Sequence, residues 1–353
     1  MEKISVGVLG ATGVVGQMFV KLLENHPWFE LTELAASERS SGKDYEEALE
    51  GRGIVSDQIP EYARNLKVKS CEPNLDCELV FSALDSNIAL KTEEEFAKAG
   101  YAVSSKASSH RMDKDVPLII PEVNPEHLGL IDVQRRKRGW KGFIVTDPNC
   151  STIHMVLALK PLYDSFGIDK VMVTTMQSVS GAGYAGVSSL EIIDNVIPYI
   201  KNEEDKLENE PLKIFGTLSD SEINHAKMDI SAQCNRVGVK YGHTESLSIK
   251  LSERAEEKDI IDSFNKFNPL KDLGLPSAPK RPVIYDRRED RPQPRLDLSP
   301  ENGMASVVGR LRKCNILDYK FVVLGHNIIR GAAGAAILDA ELLKIKGYVG
   351  QWR

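Results

Sequence analysis

Cysteine is scarce in this chain of 353 residues: five, at positions 71, 77, 150, 234 and 314, an odd number without framework spacing. That shortage excludes a disulfide-stapled secreted scaffold and predicts a reducing compartment, the cytoplasm. No CxxC or HxxxH pair occurs, so no metal site is expected. No apolar run approaches the roughly 18 residues of a membrane span. Met1-Glu2-Lys3 runs straight into a strand pattern, so no leader is expected either. Positive charge is not in excess. The formal net charge of -6 gives no surface for nucleic acid, and Gln134-Arg135-Arg136-Lys137-Arg138 reads as a solvated helix face. What remains is a chain long enough for two domains, with small molecules as partners.

The chain opens with Ile4-Ser5-Val6-Gly7-Val8-Leu9, an apolar strand, followed by Gly10-Ala11-Thr12-Gly13-Val14-Val15-Gly16. Val15, Met18, Phe19, Leu22 and Leu23 then recur with helical spacing. Strand, glycine turn and helix in this order form a dinucleotide fingerprint, in which the backbone approaches a pyrophosphate at the helix N-terminus. The next strand, Leu31–Ala36, leads to Ser37-Glu38-Arg39-Ser40-Ser41, 21 positions after Gly16. Hydroxyls and a cation there suit the 2′-phosphate of NADP, while Glu38 leaves NAD open. Strands over 77–83 and 101–105, separated by a helix near 91–99, extend the alternation to a doubly wound parallel sheet. The segment Val116–Asn124, apolar and bounded by prolines, reads as a late strand or a crossing to a second half.

Phe143–Thr146, Asp147-Pro148-Asn149, then Cys150-Ser151-Thr152-Ile153 reads as a strand, a sharp turn and a thiol opening a helix. First-turn amides and the helix dipole favour a thiolate, the reactive form of cysteine. A thiol nucleophile beside a nicotinamide suggests hydride transfer to or from an enzyme-bound thioester. A strand over 170–177 ends at Gln177 and runs into Ser178-Val179-Ser180-Gly181-Ala182-Gly183. Residues 231–251 read as strand, bend, strand. On one straight strand Arg236 and His243 would lie about 23 Å apart on opposite faces, so they meet only if the chain bends at Gly238 or Gly242.

These segments, together with Arg291–Asp297 and Asn327-Ile328-Ile329-Arg330-Gly331-Ala332-Ala333-Gly334, resemble the aspartate-β-semialdehyde dehydrogenases of the archaeal and fungal branch over nearly the whole length. The resemblance implies a Rossmann-type NADP-binding domain, 1–149, completed by a C-terminal helix within 326–353. It implies an α+β catalytic and dimerisation domain with a mixed sheet over 150–325, and a homodimer or homotetramer. The implied reaction is the NADPH-dependent reductive dephosphorylation of L-aspartyl-4-phosphate to L-aspartate 4-semialdehyde and phosphate, which feeds lysine, methionine and threonine synthesis. Cys150 would form the thioester, His243 would be the acid/base with a pKa near working pH, and Gln177 would orient the intermediate. Arg236 would hold the substrate carboxylate, Arg111 and Asn149 the phosphate.

Glu203 and Lys206 resemble the residues for the substrate amine and for phosphate, with a register slip to Glu204 left open. The implied cofactor contacts are Gly10, Thr12, Gly13, Val14, Val15, Ser37, Arg39, Ser40, Ser82, Ser180, Gly181, Gly183 and Asn327. Rival readings are a malonyl-CoA reductase, an N-acetylglutamyl-phosphate reductase and a nucleotide-binding sensor without catalysis.

Overall fold

A computed structural model describes residues 2–51, 59–183 and 186–350. Its first half alternates β1 (Ile4–Leu9), α1 (Val14–Leu22), β2 (Phe29–Ala36), β3 (Val68–Ser70), β4 (Leu79–Ser82), α2 (Ser86–Ala99), β5 (Ala102–Ser105), α3 (Leu130–Arg138) and β6 (Phe143–Thr146). The strands pair in parallel in the order β3-β2-β1-β4-β5-β6. Every residue of β4, β5 and β6 is buried, as parallel strands covered on both faces must be. The chain leaves β1 toward one edge and returns to its other side at β4. The crevice beyond the carboxyl ends of β1 and β4 is therefore the topological switch point, where ligands of such sheets bind.

The second half begins with α4 (Cys150–Phe166) and β7 (Ile168–Ser178). There follow β8 (Val196–Ile197), α5 (Glu203–Ile214), the small pair β9 (Thr217–Leu218) and β10 (Ile223–Asn224), β11 (Asp229–Val237) and β12 (His243–Leu251). Then come α6 (Glu257–Lys266), β13 (Val283–Asp286), β14 (Ser306–Lys313), β15 (Tyr319–Gly325) and α7 (Gly334–Ile345). The large sheet has the order β13-β14-β15-β12-β7-β11-β8 and is mixed: β11 lies parallel to β7, and β12 antiparallel to both β7 and β15. One face packs Val173, Leu247 and Phe321 against Ile153 and Val156 of α4 and Ile260 and Phe264 of α6. The other face alternates outward along β7, with Met172 about half exposed.

The C-terminal helix does not stay with the second sheet. Ile337, Ala340 and Leu343 of α7 enter the core built by Val6, Val8, Phe19 and Phe81. The turn before it is a π turn, Ile329–Ala333, so α7 starts three residues later than the small-residue run suggests. Arg330, fully buried there, donates from Nη2 to Glu122 Oε2 at 2.6 Å and pins this return to the crossing segment. Removing one partner would leave the other charge uncompensated, at a cost of about 3–5 kcal/mol.

The crossing itself, 116–124, is not a strand. Leu118 makes a single parallel bridge to Thr146, and the Asn124 side chain takes up Leu118 O and Ile120 N. Pro117 and Pro121 carry no N–H for a longer ladder. The basic run on α3 is also less solvated than its composition suggests. Gln134 is buried on the backbone of Ile144, and Arg138 forms ion pairs with Asp113 and Asp115. Among the described residues no helix is long and apolar enough to cross a membrane.

Candidate active site

Cys150 is the first residue of α4, and Asn149 is its cap: Oδ1 accepts from Ser151 N at 2.9 Å and Thr152 N at 3.3 Å. Such a cap holds the nucleophile turn in one geometry and satisfies first-turn donors. The other side of the Asn149 amide donates to both Glu203 oxygens, at 2.6 and 2.9 Å, and its backbone N–H donates to Glu210 Oε2 at 2.7 Å. All three polar functions of Asn149 are thus engaged within the protein. Gly331 packs against the nucleophile from the opposite side: a Cβ at that position would lie 2.8 Å from Cys150 Cβ.

The separation of Arg236 and His243 is resolved by topology. β7 and β11 run parallel, so their carboxyl ends lie together, with Arg236 in register with Gln177. The chain then turns through Gly242, whose φ of 96° favours glycine, and starts the antiparallel β12 on the other side of β7 at that same end. A Cβ at Gly181 would sit 2.9 Å from Arg236 Nη1 and 3.1 Å from His243 Cε1, so the two side chains converge beside that glycine. Arg236 Nη1 also donates to Ser178 O at 2.7 Å. Gln177 is buried, with its amide on Thr175 Oγ1 at 3.3 Å.

His243 Nε2 lies 3.1 Å from Cys150 Sγ, and its Nδ1 accepts from Ser178 N at 3.1 Å. Burial, reinforced by His154 and Arg236, holds the imidazole well below its ordinary pKa. Burial and the Glu203 carboxylate push the Cys150 thiol up to about 12. Both shifts favour the neutral forms. Because a backbone N–H occupies Nδ1, the proton of the neutral ring sits on Nε2 and points at sulfur. The direction of the shift runs against a pKa near working pH, and Nε2 is the nitrogen that faces the thiol.

One cleft joins this pair to the glycine turn. Its walls include Val14, Val15, Arg111, Asn149, Cys150, Ser180, Gly181, Gly183, Lys206 and Asn327. Asn327 is held by Gly242 N at 2.8 Å and Ser180 Oγ at 3.0 Å. Gly10, at φ 74°, has no room for a Cβ, which would meet Ala83 O at 2.6 Å; one on Gly16 would meet Gly10 O at 2.2 Å. Gly13 caps α1 without a side-chain hydrogen bond, so first-turn amides face the crevice, and Thr12 is buried beside it. Ser82, at the end of β4, is buried. These features fit a dinucleotide. After β2, Ser37 and Arg39 are exposed and Ser40 is buried. They do not line the cleft around Cys150.

The helix α5 presents Glu203, Lys206, Glu210 and Lys213 along one face, at i, i+3, i+7 and i+10. Glu203 Oε1 accepts from Lys206 Nζ at 3.1 Å, while Glu204 accepts from Cys234 N at 3.0 Å, so Glu203 is the one joined to Asn149 and Lys206. Glu210 Oε1 receives Arg111 Nη1 at 2.8 Å, and Arg111 Nη2 donates to Lys106 O at 2.8 Å. Lys213 donates to the carbonyls of Arg111, Asp113 and Val116 at 2.7, 2.7 and 2.8 Å. Sequence reasoning missed Lys106, Ser178, Glu210 and Lys213. The helical spacing of the last two from Glu203 was the available signal.

A nucleotide crevice beside a cysteine–histidine pair is the frame of a nucleotide-dependent enzyme with a thiol nucleophile, and family models narrow the class to the semialdehyde dehydrogenases. The semialdehyde dehydrogenase NAD-binding domain matches residues 5–131, and the semialdehyde dehydrogenase dimerisation domain matches residues 159–330. The chain is 53% identical over 342 residues, 97% of its length and 98% of the relative's, to aspartate-semialdehyde dehydrogenase of Archaeoglobus fulgidus. It is 45% identical to that of Candida albicans, covering 99% of this chain and 100% of the relative. A crystal structure of the Candida albicans enzyme with NADP superposes with a TM-score of 0.90 at 43% identity, covering 99% of this chain and 100% of that one. Aspartate semialdehyde dehydrogenase II of Vibrio cholerae, complexed with ASA, gives 0.79 at 28% identity and the same coverage. The chain belongs to the aspartate-semialdehyde dehydrogenase family.

Proposed function

We propose that the protein reduces L-aspartyl-4-phosphate to L-aspartate 4-semialdehyde and phosphate with NADPH, in the cytoplasm, on the route to lysine, methionine and threonine. The observation that carries this reading is the Cys150 sulfur, 3.1 Å from His243 Nε2, in the wall of a cleft that begins at the nucleotide-binding turn. Residues 1–149 with 326–353 would bind the nucleotide, and 150–325 would carry the chemistry and the subunit contact; residues 351–353 lie outside the described residues. The choice of NADP is supported by Ser37, Arg39 and Ser40 after β2 and by the cofactor of the Candida albicans structure.

Cys150 attacks the acyl carbon, the C–S bond forms as the bond to the phosphate oxygen breaks, and phosphate leaves carrying the thiol proton. Bound NADPH supplies the hydride that reduces the thioester. His243 Nε2–H then donates to the charge as it moves between sulfur and the carbonyl oxygen, and the oxyanion collapses to aldehyde by expelling the thiolate. Phosphate carries away the thiol proton, and the expelled thiolate takes a proton from solvent to restore the thiol, so each turnover consumes one proton. Arg236 clamps the α-carboxylate, Glu203 meets the amine, Gln177 orients the acyl group, and Arg111 and Lys206 hold phosphate.

The test is NADP reduction by L-aspartate semialdehyde with and without inorganic phosphate, beside NADPH oxidation by malonyl-CoA. Phosphate-dependent turnover of the semialdehyde is the expected result. Turnover of malonyl-CoA alone would replace this reading by the rival reductase, and nucleotide binding without any turnover by the sensor.

A further inference from the structure

Three cations line the cleft beside Cys150 among the described residues: Arg111, Lys206 and Lys106. Two are closely matched by carboxylates, Arg111 by Glu210 at 2.8 Å and Lys206 by Glu203 at 3.1 Å. Lys106 is different. Its carboxylate, Asp147, is 3.7 Å away, and its one hydrogen bond is to Pro148 O at 3.3 Å. An ammonium has three N–H groups, so two remain for another acceptor, on a side chain only 8% exposed.

Burial lowers the pKa of the Lys106 ammonium from its ordinary value, and Asp147 beneath it opposes that fall. Asp147 and Asp339 are both buried, and burial together with Asp147 holds the Asp339 carboxyl well above its ordinary value. Asp147, whose carboxyl pKa burial raises and Lys106 lowers, is the counter-charge beneath the ammonium, and Lys106 itself lines the cleft. Of the three cations, Lys106 pulls hardest on the Cys150 thiol, against the burial that raises it.

We propose that Lys106 is a ligand of the leaving group: its ammonium, seated on Pro148 O, holds the phosphoryl oxygens of the acyl phosphate together with Arg111 and Lys206. The assignment rests on the reaction proposed above. Charge-assisted hydrogen bonds of this kind correspond to roughly ten- to a hundredfold in affinity. In the reverse reaction Lys106→Gln should raise KM for inorganic phosphate by that factor, with KM for semialdehyde and for NADP within about threefold of wild type. Lys106→Arg, which keeps the charge, should recover most of the loss. An unchanged phosphate KM, or an equal rise in all three constants, overturns the assignment.

A measurement on the wild-type protein covers the case in which the neutral variant does not fold. Inorganic phosphate should slow reductive methylation of Lys106, followed by peptide mass spectrometry, whether or not the enzyme turns over. Methylation indifferent to phosphate overturns the site. Protection in a protein that does not turn over the semialdehyde would keep the site and remove the proposed reaction.

Discussion

Burial pushes the Cys150 thiol up and the His243 imidazole down, and this sets the expected pH behaviour at the residue scale. The thiol of the nucleotide-free protein is held at about 12, above its ordinary value, so its thiolate fraction keeps growing through the alkaline range. The rate of Cys150 alkylation by iodoacetamide should therefore climb beyond about pH 9, and a plateau below about pH 8 would contradict the neutral pair. Cys150→Ala should abolish turnover while leaving NADPH binding intact, as read by nucleotide fluorescence. His243→Ala should lose roughly 10²–10³ in rate as a missing donor to developing charge. His243→Asn discriminates the roles: its amide can donate but cannot titrate, so it should retain more activity than alanine. Equal losses in the two variants would return the ring to general-base duty.

At the scale of the element, α5 is a scaffold as much as a source of ligands. Glu210 ties Arg111 of the first half to the backbone of Asn149, and Lys213 gathers three carbonyls of the 111–116 loop. Glu210→Gln keeps the shape but weakens both charge-assisted bonds, worth about 1.5–3 kcal/mol each in such settings. The expected outcome is a higher phosphate KM and a lower kcat with nucleotide affinity unchanged, since Glu210 bonds Arg111 and Asn149 rather than the glycine turn. A shift confined to thermal stability would make it merely structural. The basic run on α3 carries the same lesson: its composition reads as a solvated face, yet Arg138 is committed to Asp113 and Asp115.

For the whole molecule, the outward side of the large sheet carries exposed apolar side chains. Met172 on β7 is 53% exposed, and Ile193, Val196 and Tyr199 beside β8 are 62%, 56% and 62% exposed. The family model over this half is a dimerisation domain, so Met172→Glu should shift the sedimentation coefficient toward the monomer. Unaltered sedimentation would place any subunit contact elsewhere. Local order is legible in the order of the amino acids: the glycine turn between β1 and α1, Cys150 opening a helix, and the alternation that makes a parallel sheet all follow from periodicities of a few residues and from where only glycine fits. The register of Glu203 against Glu204, the meeting of Arg236 with His243 and the commitment of Arg111 to Glu210 are not. These depend on which strands run parallel, on a turn at Gly242, and on burial that moves pKa values away from their ordinary ranges. Contacts across tens or hundreds of residues, and the desolvation they impose, arise only when the two sheets and the returning α7 close around one cleft.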